Sequence, residues 1–226
     1  GGGRAAAPGR TTVIARRTFT VADLVDRRTG SATVCVPARD EASTIGRTVR
    51  GLVALRDRGA IDEVVVLAGD STDGTEALAV EAGATVHDVG ALHAELGPVL
   101  GKGDAMWRGL EVVTTDVVAF VDADLTVDLD AMVSGLLGPI VSGTREARFV
   151  KGAFRRHHPD FISDEDPYDG GRVTETVARP LINLLRPDLA GFYQPLGGQV
   201  GAEVSLLRTI PFLTGYAVEI GMLLDV

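Results

Sequence analysis

The sequence predicts an α/β fold, a mostly parallel sheet flanked by helices, and three observations carry that expectation. Short apolar runs rich in valine alternate with stretches of helical period, the segments joining them hold Gly, Asp, Ser and Thr, and the apolar run 117–121 leads into Asp122-Ala123-Asp124. Strands alternating with helices imply parallel pairing through right-handed crossovers. Ligands of such sheets bind outside the carboxyl ends of the strands. At 226 residues the chain can hold one large domain or two small ones around a sizeable core.

Residues 1–10, rich in Gly, Ala, Arg and Pro, read as a disordered or tag-derived leader. A strand over 32–36 is followed by a loop at 37–42 and a helix over 43–58. Ile45, Val49, Leu52 and Val53 share one face of that helix, with Ser43 or Asp40 as its cap. A strand over 63–67 leads through Gly69, Asp70, Ser71, Thr72, Asp73 and Gly74 into a helix ending near 82. A short strand at 84–87, a loop reaching Gly101 and a helix over 103–113 come before the strand that ends in the two aspartates. Beyond Leu125 the spacing predicts a helix at 130–141, a strand at 147–153, a charged, mobile surface loop at 155–169 and a helix at 174–185.

Composition excludes several classes. Hydrophobic residues at 45% and charged residues at 23% suit a soluble globular protein. A net charge of -9 argues against a nucleic-acid surface, so any phosphate chemistry needs positive charge concentrated locally. The single cysteine, Cys35, lies in an apolar run and allows neither an internal disulfide nor a cysteine metal cluster. No apolar stretch approaches the roughly 18 residues of a membrane span, and the N-terminus lacks a signal-peptide core, so cytoplasmic residence is expected. The chain stops in an amphipathic run, 221–226, without a helix stop signal, which predicts that the polypeptide continues beyond Val226.

Four segments carry chemistry. Asp122 and Asp124 stand on alternate positions, and period-two geometry turns both to one face. There they offer hard oxygens to a Mg²⁺ or Mn²⁺ ion bearing a diphosphate, although two such aspartates also make a solvated turn or a cap. The loop Pro37-Ala38-Arg39-Asp40-Glu41 enters a helix N-terminus, where free backbone N–H groups and the dipole favour an anion. Arg39 then stands near a phosphate and Glu41 near base or ribose; both residues are equally at home in solvent. Asp70-Ser71-Thr72-Asp73-Gly74-Thr75 is good turn and capping chemistry at the same sheet edge. In Gly101-Lys102-Gly103 the glycines permit close backbone approach while the ammonium reaches a phosphate or ribose hydroxyl; the spacer and Ser/Thr of a Walker A loop are absent. Glu219 sits in an apolar run, where an unpaired carboxylate is expensive, which favours a hydrogen-bonding or sugar-orienting role.

These segments, together with Gly101 to Arg108 and Val121 to Asp124, resemble in their order a GT-A glycosyltransferase. More narrowly, Gly170-Gly171-Arg172-Val173-Thr174-Glu175, Gln194-Pro195-Leu196-Gly197-Gly198 and Gly215-Tyr216-Ala217-Val218-Glu219-Ile220-Gly221 resemble the retaining glucosyl-3-phosphoglycerate and mannosyl-3-phosphoglycerate synthases. The likeness covers residues 19–226. It implies a GT-A (Rossmann-like) fold with a leader at 1–18, a nucleotide-sugar-binding half at 19–125 and an acceptor-binding half at 126–226. It further implies that Pro37, Ala38, Arg39, Glu41 and Lys102 bind the nucleotide sugar, with Gly69, Asp122 and Ala123 in the same set. Asp124, with Asp122, serves Mg²⁺ (or Mn²⁺) and the sugar, and Gly171, Arg172 and Thr174 hold 3-phosphoglycerate. A Gly-Gly turn flanked by Arg and Thr is independently an anion nest beside a bidentate cation. The family's metal-binding histidine and acceptor-binding asparagine are expected beyond Val226, and a homodimer is implied.

One departure stands out. Glucosyl-transferring relatives carry Asp and Ser where this chain has Ala68 and Gly69, which predicts a roomier base pocket that tilts donor choice toward GDP-sugars or a relaxed range. The activity expected from the resemblance is transfer of glucose or mannose from an NDP-sugar (GDP-mannose, GDP-glucose or UDP-glucose) to 3-phospho-D-glycerate with retention. Asp124 and Glu219 are the catalytic candidates, and the backbone around Leu196 supports the sugar. A sugar nucleotidyltransferase and a non-catalytic nucleotide-sugar-binding domain remain as alternatives.

Overall fold

Six strands form one sheet in the order β3-β2-β1-β4-β6-β5 in the computed structural model, which describes residues 19–142, 147–153 and 173–226. The expected leader at 1–18, the charged loop at 155–169, and Gly171 and Arg172 lie outside the described residues.

A short helix α1 (Val21–Arg27) starts from a capping box in which the Thr20 hydroxyl accepts from the Asp23 amide and the Asp23 carboxylate accepts from the Thr20 amide. Then β1 (Ala32–Ala38), α2 (Ile45–Asp57), β2 (Glu63–Ala68), α3 (Thr75–Glu81), β3 (Thr85–Asp88), α4 (Lys102–Gly109) and β4 (Val117–Phe120) follow in the expected alternation. Parallel ladders join β1 to β2, β2 to β3 and β1 to β4. After α5 (Leu129–Val141) the direction reverses: β5 (Phe149–Lys151) and β6 (Val200–Glu203) pair antiparallel, and β6 adds antiparallel to β4. No periodic signal marks β6, because a four-residue strand containing Gly201 and ending in Glu203 alternates too briefly to read.

Side-chain alternation builds two core layers. Val34, Val36, Val117, Ala119, Val121 and Ala123 pack with Ile45, Val49 and Leu52 of α2 and Val133, Leu136 and Leu137 of α5. On the opposite face Cys35, Val65, Val118 and Phe120 pack with Ala105 and Met106 of α4, with Leu207 of α7 (Val204–Leu207), and with Val218 and Met222 of α8 (Val218–Asp225). A sheet covered on both faces explains the near-continuous apolar runs of β1 and β2, each fully buried side chain contributing about 1.5–3 kcal/mol.

Two local expectations are corrected. The N-cap of α2 is Thr44, which makes no side-chain cap bond; Ser43 is exposed, and Asp40 instead accepts from the Thr72 amide at 2.9 Å. The helix expected over 174–185 begins as a turn of π-helix, Thr174–Ala178, before α6 (Arg179–Leu185). Pro180 has no N–H to close the regular ladder there, and the wider turn accommodates the gap.

Candidate active site

The strand order fixes where a ligand can enter. The β1 and β2 loops leave one side of the sheet centre and the β4 loop the other, so a crevice opens at the carboxyl ends of β1 and β4. The β1–β4 register ends at Cys35–Phe120, and Pro37 sits beyond it, where its missing N–H costs no ladder bond.

On the first side the two loops are laced together. The Asp40 amide donates to Ser71 Oγ at 3.1 Å, the Glu41 amide to Thr75 Oγ1 at 2.8 Å and the Ala42 amide to Asp73 Oδ2 at 2.9 Å. The amides of Thr44 and Ile45 both donate to the Glu41 carbonyl. The expectation of free amides at this helix start is therefore corrected: the second loop consumes the donors of the first. Asp73 is held below the usual carboxylate range by hydrogen bonds from the Thr75 hydroxyl and then the Ala42 amide. What this rim offers a ligand is side chains. Arg39 is 73% exposed, and Glu41 accepts from Thr44 Oγ1 at 2.9 Å. Of Ala68 and Gly69, the Ala68 side chain is fully buried in β2 and only Gly69 lies partly open at the edge.

On the β4 side, strand pairing stops at Phe120, two residues before the carboxylates. Val121 and Ala123 still pack into the α2/α5 layer, which leaves Asp122 and Asp124 on the other side of the chain. Asp124 is exposed and has no partner among the described residues, whereas Asp122 is engaged on both oxygens: Lys102 Nζ donates to Oδ1 at 2.7 Å and Gln199 Nε2 to Oδ2 at 2.6 Å. Lys102 also donates to Glu219 Oε1 at 3.0 Å. Burial alone would lower the Lys102 pKa, but Asp122 and then Glu219 outweigh it and hold the ammonium above its ordinary value.

Lys102, Asp122 and Glu219, expected separately to meet the nucleotide sugar, thus form one ion-paired cluster joining α4, the β4 loop and α8. The flanking glycines serve a different purpose from the one expected. A Cβ on Gly103 would stand 1.9 Å from the Leu213 carbonyl oxygen, so the residue lets the chain before α8 approach α4. Replacing Gly103 by Ala is expected to lower stability by about 3 kcal/mol, read by urea unfolding; an unchanged midpoint would refute the close approach.

Two members of the cluster had escaped the sequence reading. Gln199 follows the noted Gln194–Gly198 segment, and Lys151 of β5 donates to the Glu219 carbonyl at 2.6 Å. The available signal for Lys151 was the one applied to Glu219, a charge in an apolar run. Burial lowers the Lys151 pKa to about 8, against an opposing pull from Glu219. Because the folded value lies below the unfolded one, stability is expected to rise as pH climbs from 8 toward 10, where only the unfolded chain keeps this proton. Melting temperature against pH should show that rise in the native protein and lose it in Lys151→Met.

Leu196 lies in a turn closed by the Gly197 amide on the Gln194 carbonyl at 3.0 Å, next to Gly198 and Gln199. Thr174, half-buried, starts the π-helical turn, and Pro37, Ala38 and Ala123 stand at the strand ends bordering the crevice.

The donor set fits a hard divalent cation in a restricted way. Among the described residues no group of three or more His, Cys, Asp or Glu gathers as a metal site. One open carboxylate, Asp124, suffices for Mg²⁺ or Mn²⁺ when phosphate oxygens and water supply the other positions.

A mostly parallel sheet closed by antiparallel strands, with Asp122-Ala123-Asp124 following β4, has the architecture of the GT-A glycosyltransferases. Residues 33–191 match the model of the family described as "Glycosyl transferase family 2". The chain is 46% identical over 213 residues to glucosyl-3-phosphoglycerate synthase of Mycolicibacterium smegmatis, covering 93% of this chain and 69% of that one. It is 40% identical over 210 residues to the Mycobacterium tuberculosis enzyme of the same name, covering 92% and 64%. The crystal structure of the M. tuberculosis synthase with Mn²⁺, UDP-glucose and phosphoglyceric acid superposes with a TM-score of 0.78 at 37% identity, over 96% of this chain and 72% of that one. Mannosyl-3-phosphoglycerate synthase from Rubrobacter xylanophilus gives 0.77 at 42% identity, over 87% and 61%. The chain therefore belongs to glycosyl transferase family 2, in its group of glucosyl-3- and mannosyl-3-phosphoglycerate synthases. It spans less than two thirds of some of these relatives, 64% of the curated M. tuberculosis enzyme and 61% of the Rubrobacter chain.

Proposed function

We propose that this chain carries the core of a hexosyltransferase that moves a hexose, glucose in the first instance, from a nucleoside diphosphate to the 2-hydroxyl of 3-phospho-D-glycerate with retention of configuration. The observation that carries the reading is the cluster of Lys102, Asp122 and Glu219 next to the open Asp124 at the β1/β4 crevice. The M. tuberculosis relative crystallised with Mn²⁺, UDP-glucose and phosphoglyceric acid supports the choice of ligands.

When bound, Mg²⁺ or Mn²⁺ neutralises the diphosphate charge that grows as the glycosidic bond breaks. The chain's own groups do the remainder. Arg39 faces the nucleotide, Asp122 and Glu219, both oriented by Lys102, accept from sugar hydroxyls, and the Leu196 turn supports the sugar from its backbone. Gly171, Arg172 and Thr174 hold the acceptor phosphate. The proposed step is front-face displacement, in which the acceptor 2-hydroxyl attacks the anomeric carbon as its bond to the diphosphate breaks and the leaving phosphate takes the acceptor proton. Cytoplasmic residence and a homodimer belong to the same reading; among the described residues no helix is long and apolar enough to cross a membrane.

The Ala68 and Gly69 departure from the glucosyl-transferring relatives keeps GDP-sugars beside UDP-glucose as donors to be tested. The test is to assay purified protein with 3-phosphoglycerate and UDP-glucose, GDP-glucose, GDP-mannose or UDP-mannose, following the anomeric configuration by NMR. Glycosyl-3-phosphoglycerate with the donor's configuration is expected. Release of pyrophosphate from a nucleoside triphosphate and a sugar phosphate, or donor binding with no turnover, would replace the proposal with a nucleotidyltransferase or a binding domain.

A further inference from the structure

The two carboxylates of Asp122-Ala123-Asp124 are not equivalent, and the group that separates them comes from β6. Gln199 immediately precedes that strand, is 1% exposed, and places its Nε2 2.6 Å from Asp122 Oδ2. Its other end, Oε1, is buried with no hydrogen-bond partner among the described residues. Turning the amide over would set Oε1 against the carboxylate, so the donor end is chemically committed to Asp122. A buried amide oxygen without a donor costs stability, so what fixes Gln199 in this orientation is its charge-assisted bond to Asp122.

The backbone around Gln199 is built to keep it there. The Gly152 amide donates to the Gln199 carbonyl at 2.8 Å, and a Cβ on Gly152 would stand 2.9 Å from the Gln199 Cβ. A Cβ on Gly198 would meet Lys102 Nζ at 2.5 Å and Asp122 Oδ2 at 2.7 Å. The turn into β6 therefore lies directly against the polar cluster.

We infer that Gln199 is a positioning residue that withholds Asp122 from the metal. With Oδ1 on Lys102 and Oδ2 on Gln199, Asp122 is kept as a hydrogen-bonding group for the donor, and Asp124 is the one carboxylate of the pair left to coordinate the cation. The donor half of this inference rests on the proposed transferase function; the metal half does not.

The full chain carrying Gln199→Met, nearly the same shape and free of the unpaired oxygen, tests it. Calorimetric titration with Mn²⁺ alone, without nucleotide, is expected to show about tenfold tighter binding than the native protein, because Asp122 Oδ2 becomes available beside Asp124. The KM for UDP-glucose is expected to rise about tenfold. A merely structural role predicts the opposite for the metal, unchanged or weaker binding with a lower melting temperature, and that result would overturn the inference. In an Asp122→Asn background the same substitution should leave Mn²⁺ affinity unchanged; tightening that persists there would show that Gln199 does not act through Asp122. If the native protein proves not to use UDP-glucose, the KM measurement falls with the transferase reading, and the Mn²⁺ titrations still decide the metal half.

Discussion

Replacing Asp124 by Ala is expected to reduce metal-dependent transfer about 1000-fold in kcat/KM, equivalent to about 4 kcal/mol of transition-state stabilisation. The size follows from what the ion would do in the proposed reaction, which is to neutralise charge on a departing diphosphate. The fold should be untouched. Asp124 is exposed and holds no partner among the described residues, so its removal orphans no buried group. Melting temperature in the absence of metal should therefore match the native protein, while the Mn²⁺-induced rise in melting temperature disappears. Asp122→Ala makes the contrast, since it frees both Lys102 and Gln199 and should lower stability as well as activity. Undiminished Mg²⁺- or Mn²⁺-dependent turnover in Asp124→Ala would remove this residue from the metal site.

That contrast also shows which parts of the site could be read from the sequence. Local, periodic features were legible: the apolar runs of β1, β2 and β4, the amphipathic face of α2, and the aspartates that end a strand. Two strand-to-helix loops converging on one sheet edge also followed, because parallel connectivity puts successive loops there. What the sequence could not supply was which polar group takes which partner. Ser71, Asp73 and Thr75 had the composition of a self-contained turn, yet they hold amides 31 to 34 residues earlier in the chain. Lys102, between two glycines, was read as reaching a phosphate or ribose hydroxyl; the two carboxylates it bonds come from 20 and 117 residues away. Sequence separation carries no signal for such pairs, and the antiparallel turn of β6 that delivers Gln199 was too short to reveal itself. Glu219 was read as a carboxylate too costly to leave unpaired in an apolar run, and in the structure it accepts from Lys102.

The dependence on that cation gives the second large effect. In Lys102→Met the carboxylates of Asp122 and Glu219, only 31% and 17% exposed, lose the cation that both of them bond. Removing one partner of a buried ion pair costs about 3–5 kcal/mol, and partial exposure with the surviving Gln199 bond brings the expectation to about 2–3 kcal/mol at pH 7. Two like charges in one site repel once their shared cation is gone, and the resulting deficit is measured by urea unfolding at pH 7. Activity should fall at least about 100-fold at saturating Mn²⁺, because both carboxylates proposed to meet the sugar lose their orientation. Adding Glu219→Gln separates the two consequences. The double variant removes the like-charge repulsion and should regain most of the stability, while transfer stays low because neither the cation nor the second carboxylate is present. Restored activity in the double variant would mean that Lys102 serves only to neutralise Glu219. Stability that remains low would mean that its bond to Asp122 holds the β4 loop to α4 independently of Glu219.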